Sequence, residues 1–423
     1  MADHADHHAA PVVKPAGDPA FQLPSSLAKL QMPLLIGGLV VLVVGWVLGT
    51  FGNGAKVGMS AYLVGLVYCL TLAIGCLFFV MIQHLVRAGW SVVVRRIAEL
   101  FMVLIIPLAV LFLPILGSLL IGDTPLYVWD DPGYAESHHL PETVWAEKTR
   151  WLSPGWFTVR SAFYFLVWSA MAVFFYRGSV HQDETGQKSA TERMQYWSGP
   201  AVMVFALVTS FAAFDWVMSL APMWFSTMFG VYLFAGSILS AHCLICLSAF
   251  LLQKAGAMRD EVTVEHYHDL GKLIFGFIFF WTYISFSQYL LIWYGNIPEE
   301  TEWFYHRQLG QWGILSVVII LFHWLVPFLG TMSRHVRRRP WAIAAWSGYM
   351  LVMHAVDVYW MIMPEAKAGE GNPVTAIGAV AAVLCIIGML AMAIGLVLKV
   401  ADSTHVVAVR DPRLPESLAF ENI

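Results

Sequence analysis

A few ionisable side chains fall inside or at the edge of long apolar stretches of this sequence: Asp215, His242, Lys272, His323, His354 and Asp357. A charged residue at mid-membrane costs roughly 2.5–3.5 kcal/mol on insertion scales, so such residues call for a use. Asp215 and Asp357 each stand seven residues before a proline, Pro222 and Pro364, about 15 residues or 22 Å from the inner ends of their helices. His354 precedes Asp357 by three residues, which puts it on the same helix face, one turn deeper. His242 and His323 lie in the inner halves of their stretches. Arg160 and Arg307 mark the outer mouth, and Glu99, Asp269 and Lys272 the inner mouth. By depth this forms a ladder from Asp357 to His354, then His242 or His323, then the inner charges. Buried carboxyls favour the neutral acid and imidazole relays protons through its two nitrogens, so the chemistry suggested is proton transfer. Tyr283, Ser287 and Tyr294, with Gln288 and Tyr289 beside them, add a polar stripe that can hold bridging water. The same residues also allow a plainer reading. A buried Asp can simply pair with Arg160 or Arg307, and a helix histidine can bond a neighbouring carbonyl.

Redox-centre ligation fares worse. A bis-histidine haem needs two facing imidazoles, and His84, His242, His323 and His354 show no spacing that would stack two haems. There is no Cys-x-x-Cys-His. Cys243-Leu244-Ile245-Cys246 lies mid-stretch without further thiolates and is read as helix packing. The five cysteines all sit in apolar runs, so no disulfide is expected. His4, His7 and His8 belong to a polar tail expected to be disordered and not a metal site. The segment Met1 to Leu30 lacks the layout of a signal peptide, and none is expected.

What positions these residues is a set of membrane-spanning helices. Of 423 residues 59% are hydrophobic and 12% charged, against roughly 25% charged in soluble domains. The net charge of −4 bears little on partners. Ten stretches are long enough to cross a hydrocarbon core: Leu34–Phe51, Ala61–Leu85, Ile97–Ile121, Trp156–Tyr176, Ala201–Leu220, Trp224–Leu252, Leu270–Trp293, Leu309–Thr331, Trp341–Met363 and Val374–Val400. Pro107 and Pro114 should kink the third. Six of the 24 Lys and Arg residues (Lys56, Lys148, Arg150, Arg160, Arg307 and Lys367) fall on one set of alternating connections. The rest, 24 less six or eighteen, fall on the other. The positive-inside rule therefore predicts an even number of spans with both termini cytoplasmic. The 1–33 and 401–423 segments are then cytoplasmic tails. The longest outer loop, 122–154, is acidic and aromatic without an obvious helix, ordered either by a partner protein or as a lid on its own bundle.

Two patterns recur at nearly one distance. Trp156-Phe157-Thr158-Val159-Arg160 is echoed by Trp303-Phe304-Tyr305-His306-Arg307, and Asp215 with Pro222 by Asp357 with Pro364. A shift of four spans preserves orientation. The expected fold is thus all-α, with two parallel-related four-helix bundles at 61–220 and 224–363. The spans at 34–51 and 374–400 flank them.

One stretch resembles a known family. The run Tyr267-His268-Asp269-Leu270-Gly271-Lys272-Leu273-Ile274-Phe275 is one part of it. Its continuation is Phe286-Ser287-Gln288-Tyr289-Leu290-Leu291-Ile292-Trp293-Tyr294-Gly295-Asn296-Ile297-Pro298-Glu299-Glu300-Thr301-Glu302-Trp303. Together they are similar to the central motif of the large membrane subunits of bacterial alternative complex III, relatives of the polysulfide-reductase-type (NrfD-like) membrane anchors. The resemblance implies a quinol:electron-acceptor oxidoreductase assembly of the bacterial inner membrane, respiratory or photosynthetic, with iron–sulfur clusters and haem c in partner proteins. The family has two sister ten-span members in each assembly. One sister houses the quinol site. The other holds no redox cofactor and contributes a proton path. The absence of redox ligands makes this chain look like the cofactor-free sister, with the proton path on Asp215, His242, Lys272, His323, His354 and Asp357. The rival readings are the quinol-binding sister, a secondary transporter and a haem b anchor. The broken-helix cue of transporters is largely missing.

Overall fold

The computed structural model describes residues 14–422 apart from 16, 122–125, 132, 138 and 367–374. The histidine-rich start, Asp123 and Lys367 therefore lie outside the described residues. Every regular element among those described is helical. This follows from the apolar stretches themselves, since in lipid a helix satisfies its backbone groups internally.

Ten long helices account for the ten expected spans: α1 Gln31–Asn53, α2 Ala55–Leu85, α3 Val92–Ile121, α4 Pro154–Thr185, α5 Lys188–Trp216, α6 Phe229–Ala255, α7 Val264–Gly295, α8 Gly310–Met332, α9 Pro340–Ile362 and α10 Ala376–Asp402. Among the described residues nine are long and apolar enough to cross a membrane. The tenth, α9, has 23 residues but is diluted by Trp341, Trp346, Trp360, Tyr349, Tyr359, His354 and Asp357. It is packed against α2, α6, α7 and α8. Its polar groups thus face protein. The chain is an all-α, multi-pass integral membrane protein.

The helix α2 is the centre of the molecule and is buried along nearly its whole length. It contacts α1, α3, α5 and α10 and faces α6. The helices α2 to α5 pack on one another, and α6 to α9 do likewise. The α2–α6 approach is close because both helices carry small residues there. A Cβ added at Gly75 would lie 2.1 Å from the Ser237 carbonyl oxygen, so no other residue fits at that point.

Prolines act where expected, with one shift. The break in α3 falls at Val103 and Leu104, between helices Val92–Met102 and Ile105–Ile121. Pro107 has no N–H for the Val103 carbonyl, which loosens that turn. Pro114 stays inside the helix, and Tyr62 donates to the nearby Leu111 carbonyl at 2.5 Å.

The outer loop differs from the helix-free expectation. It contains the helix Glu142–Trp151 and shorter turns. Leu126, Tyr127 and Trp129 are buried, Tyr127 donates to the Trp216 carbonyl (3.1 Å), and Trp129 Nε1 donates to Ser219 Oγ (3.4 Å). Of the two expectations for this loop, this packing favours the lid. The helix carries little sequence signal because its apolar residues are few.

The tails also fold back. Val406 N–H donates to the Phe21 carbonyl and Met258 N–H to the Ala20 carbonyl. Residues Val406 to Val409 and Leu414 are buried. Both tails therefore close one end of the bundle.

Candidate functional site

The two aspartates occupy different environments. Asp215, at the end of α5, is fully buried and accepts from Arg160 Nε (2.7 Å) and a terminal guanidinium nitrogen (3.0 Å). It also accepts from the Tyr164 hydroxyl (2.7 Å) and Trp151 Nε1 (2.9 Å). Arg160 in turn lies over the Trp151 ring, 4.2 Å from its centroid, and donates to the Trp151 carbonyl. This carboxylate is held by a cation.

Asp357 is equally buried and is not. It accepts from the Tyr232 hydroxyl at Oδ1 and from Trp281 Nε1 at Oδ2 (3.2 Å). Among the described residues no Lys or Arg forms an ion pair with it. Arg307, the counterpart of Arg160, turns away. It pairs with Glu365 (3.1 Å), lies 3.5 Å over the Trp303 ring, and donates to the carbonyls of Trp303, Trp360 and Met361. The echo between the two halves therefore lies in an arginine stacked on a tryptophan whose carbonyl it bonds. In the first half that tryptophan is Trp151 and not Trp156, which is 62% exposed.

Around Asp357 the polar groups converge. His354 Nε2 lies 2.8 Å from Thr71 Oγ1 on α2, and the Thr71 hydroxyl gives its one proton to the Tyr68 carbonyl (2.7 Å). The imidazole must then donate through Nε2, leaving Nδ1 as the acceptor of the neutral ring. His354 Nδ1 has no hydrogen-bond partner. It points toward Gly236 on α6, where a Cβ would sit 3.0 Å from Cε1, 3.3 Å from Nδ1 and 3.8 Å from Asp357 Oδ2. A side chain at 236 would fill the space that the imidazole and carboxyl share. His323 closes the cluster from α8. It is fully buried, its ring centroid is 3.9 Å from that of Trp281, and neither ring nitrogen has a partner. It sits in a widened π-helical turn, Ile319–Leu325. Pro327, four residues on, cannot donate to the His323 carbonyl, and this releases the turn.

The remaining sequence candidates are elsewhere. His242 bonds the Ile238 carbonyl of its own helix (2.7 Å) and lies between Phe277 and Phe79. Lys272 pairs with Asp269 and reaches Asn422 of the C-terminal tail at 2.8 Å. Tyr283 and Tyr294 are exposed, and Ser287 is capped on the Tyr283 carbonyl. That stripe faces outward and only Gln288 of the group is buried.

Glu99 belongs to a second, separate cluster. Arg95 reaches Glu99 (3.0 Å) and Asp411 (2.6 Å), while Arg96 reaches Glu99 (3.0 Å) and Asp183 (2.5 Å). These groups are almost fully buried and tie α3, α4 and the C-terminal tail together. Permanently charged guanidiniums make this a staple, not a proton wire.

Sequence reading missed Tyr232, Trp281 and Thr71, which carry no charge to draw attention. It missed Asp183 and Asp411 because they meet Arg96 and Arg95 only through the fold. Tyr164 was within reach, being four residues after Arg160 on the same face. Pro327 likewise signalled the unusual turn at His323. No family model matches this chain, and none of the curated proteins compared with it shows significant similarity.

Proposed function

We propose that this chain is a membrane component of a quinol-oxidising electron-transfer assembly of the alternative complex III type, like the cofactor-free member of its two ten-span sisters, and that it moves protons through the α6–α9 bundle. The span-seven motif supports the family. The sister ten-helix protein, an iron–sulfur protein and haem c proteins would be its partners, in a bacterial inner membrane with both termini cytoplasmic. Electrons would travel through those partners.

The observation that carries the proton role is Asp357, a buried carboxyl held by Tyr232 and Trp281 with no ion pair among the described residues. Such a group can exchange a proton without breaking an ion pair. His354 Nδ1 is the matching acceptor, and one water beside Gly236 would bridge the two. When Nδ1 takes the proton, Nε2 can release its own toward Thr71, and the ring resets by rotating or by exchanging tautomers. His323, with two free nitrogens behind Trp281, extends the path along α8.

The test is the Asp357→Asn variant in the assembled complex. Quinol oxidation should persist while the proton-to-electron ratio falls. An unchanged ratio would remove the proton role. Purification of the tagged chain should bring down iron–sulfur and haem c proteins, and their absence would remove the assembly.

A further inference from the structure

The tails end of the bundle carries a concentration of cations where α7 begins and α8 passes into α9. The link Ser333–Arg339 brings Arg334, Arg337, Arg338 and Arg339, and Lys272 joins them from α7. The carboxylates nearby are committed. Glu265 pairs with Arg338, and Asp269 with Lys272. Among the described residues Arg334, Arg337 and Arg339 have no ion pair. Five cations therefore face two acids.

This is more than a basic loop. Arg337 lies on Gly271, where a Cβ would meet its side chain at 3.0 Å, and its guanidinium is 5.4 Å from the Phe275 ring centroid. Its Nε is buried without a partner. His268 nearby is only 7% exposed, with Nδ1 also unpartnered, and three cations, Lys272, Arg337 and Arg338, are close enough to act on its charge against one acid, Asp269. Arg337 Nε and His268 Nδ1 are thus two buried nitrogens without a partner, at a corner where cations outnumber acids. Apolar surface lies alongside: Leu329, Met332 and Trp341 are about half exposed or more, and Phe275 stacks on Phe328 at 5.0 Å.

We propose that this corner binds the phosphate headgroup of an anionic phospholipid, with its acyl chains along α7 and α8. The planar guanidiniums match phosphate oxygens in pairs, which lysines would not do. An apolar shelf beside the cations suits a lipid and gives nothing to a soluble anion. The inference stands independently of the proton role.

The test is native mass spectrometry of the full-length chain in its purified assembly, delipidated and offered phosphatidylglycerol or phosphatidylcholine. Phosphatidylglycerol should be retained preferentially. Arg334→Gln with Arg339→Gln, both exposed, should weaken retention roughly 25-fold, since each juxtamembrane cation contributes roughly fivefold. Phosphatidylglycerol should also raise the unfolding temperature of the unsubstituted protein and not that of the variant. Equal retention of the two lipids, unchanged retention by the variant, or displacement by millimolar inorganic phosphate would each overturn the proposal.

Discussion

Tyr232 donates its hydroxyl to Oδ1 of Asp357, as Tyr164 donates to Oδ2 of Asp215, but only Asp215 has an arginine on it as well. A hydroxyl shared by both acids and a cation held by one separates their roles. Removing a charge from Asp215 strands Arg160. Removing it from Asp357 strands nothing charged.

The first prediction follows from that difference. Asp215→Asn should destabilise the protein by about 2–4 kcal/mol, because breaking a buried pair leaves one charge uncompensated. Asp357→Asn should cost far less, since the amide oxygen can still accept from Trp281 Nε1 while its NH2 donates to the Tyr232 hydroxyl oxygen. Thermal unfolding of the two variants in one detergent checks the order. Equal losses would mean that the cation at Asp215 contributes nothing.

How far the sequence carried this picture depends on which interactions are local. The ten helices were legible because length and apolarity are properties of contiguous residues, and even α9 showed itself despite its polar content. The pair His354 and Asp357 was legible from a spacing of three. What completes the site was not: Thr71 lies 283 residues from His354, and Tyr232 lies 125 residues from Asp357. The ladder through His242 and Lys272 assumed that similar depth implies contact. His242 is instead enclosed by Phe79 and Phe277, and Lys272 turns to the C-terminal tail.

The second prediction concerns the staple. Glu99 is the acid shared by Arg95 and Arg96, but each keeps an aspartate of its own, Asp411 and Asp183, so Glu99→Gln should weaken the cluster without stranding a charge and cost about 1.5–3 kcal/mol. The loss should loosen the C-terminal tail, because Asp411 reaches the core through Arg95. Limited proteolysis should then cut after Asp402 faster than in the unsubstituted protein. An unchanged cleavage pattern would show that the tail's other contacts, among them Val406 N–H to the Phe21 carbonyl and Ser417 to the Trp90 carbonyl, hold it without the staple.

A third prediction isolates the imidazole's anchor. Thr71→Val keeps the shape but removes the oxygen that receives His354 Nε2, leaving a buried donor unsatisfied at about 1–3 kcal/mol. Thr71→Ser keeps the hydroxyl and should restore most of the stability. If valine and serine behave alike, the 2.8 Å contact is incidental.

The last prediction separates proton movement from architecture. Gly236→Ala adds one methyl group 3.0 Å from His354 Cε1 and 3.3 Å from Nδ1, in the space shared with Asp357 Oδ2. Overpacking of this kind costs about 1–3 kcal/mol, which a helix bundle of this size can absorb. Ser237 and Ser240 on the same helix bond their own backbone, so α6 itself should persist. The methyl group would exclude a bridging water between carboxyl and imidazole while leaving every titratable residue in place. Under the proposed proton role, assembled complex carrying Gly236→Ala should oxidise quinol and show a reduced proton-to-electron ratio, as Asp357→Asn does. The double variant should be no worse than either single one, since both interrupt the same step. Additive losses would place Gly236 and Asp357 on different routes, and full proton yield from Gly236→Ala would leave His354 a structural histidine.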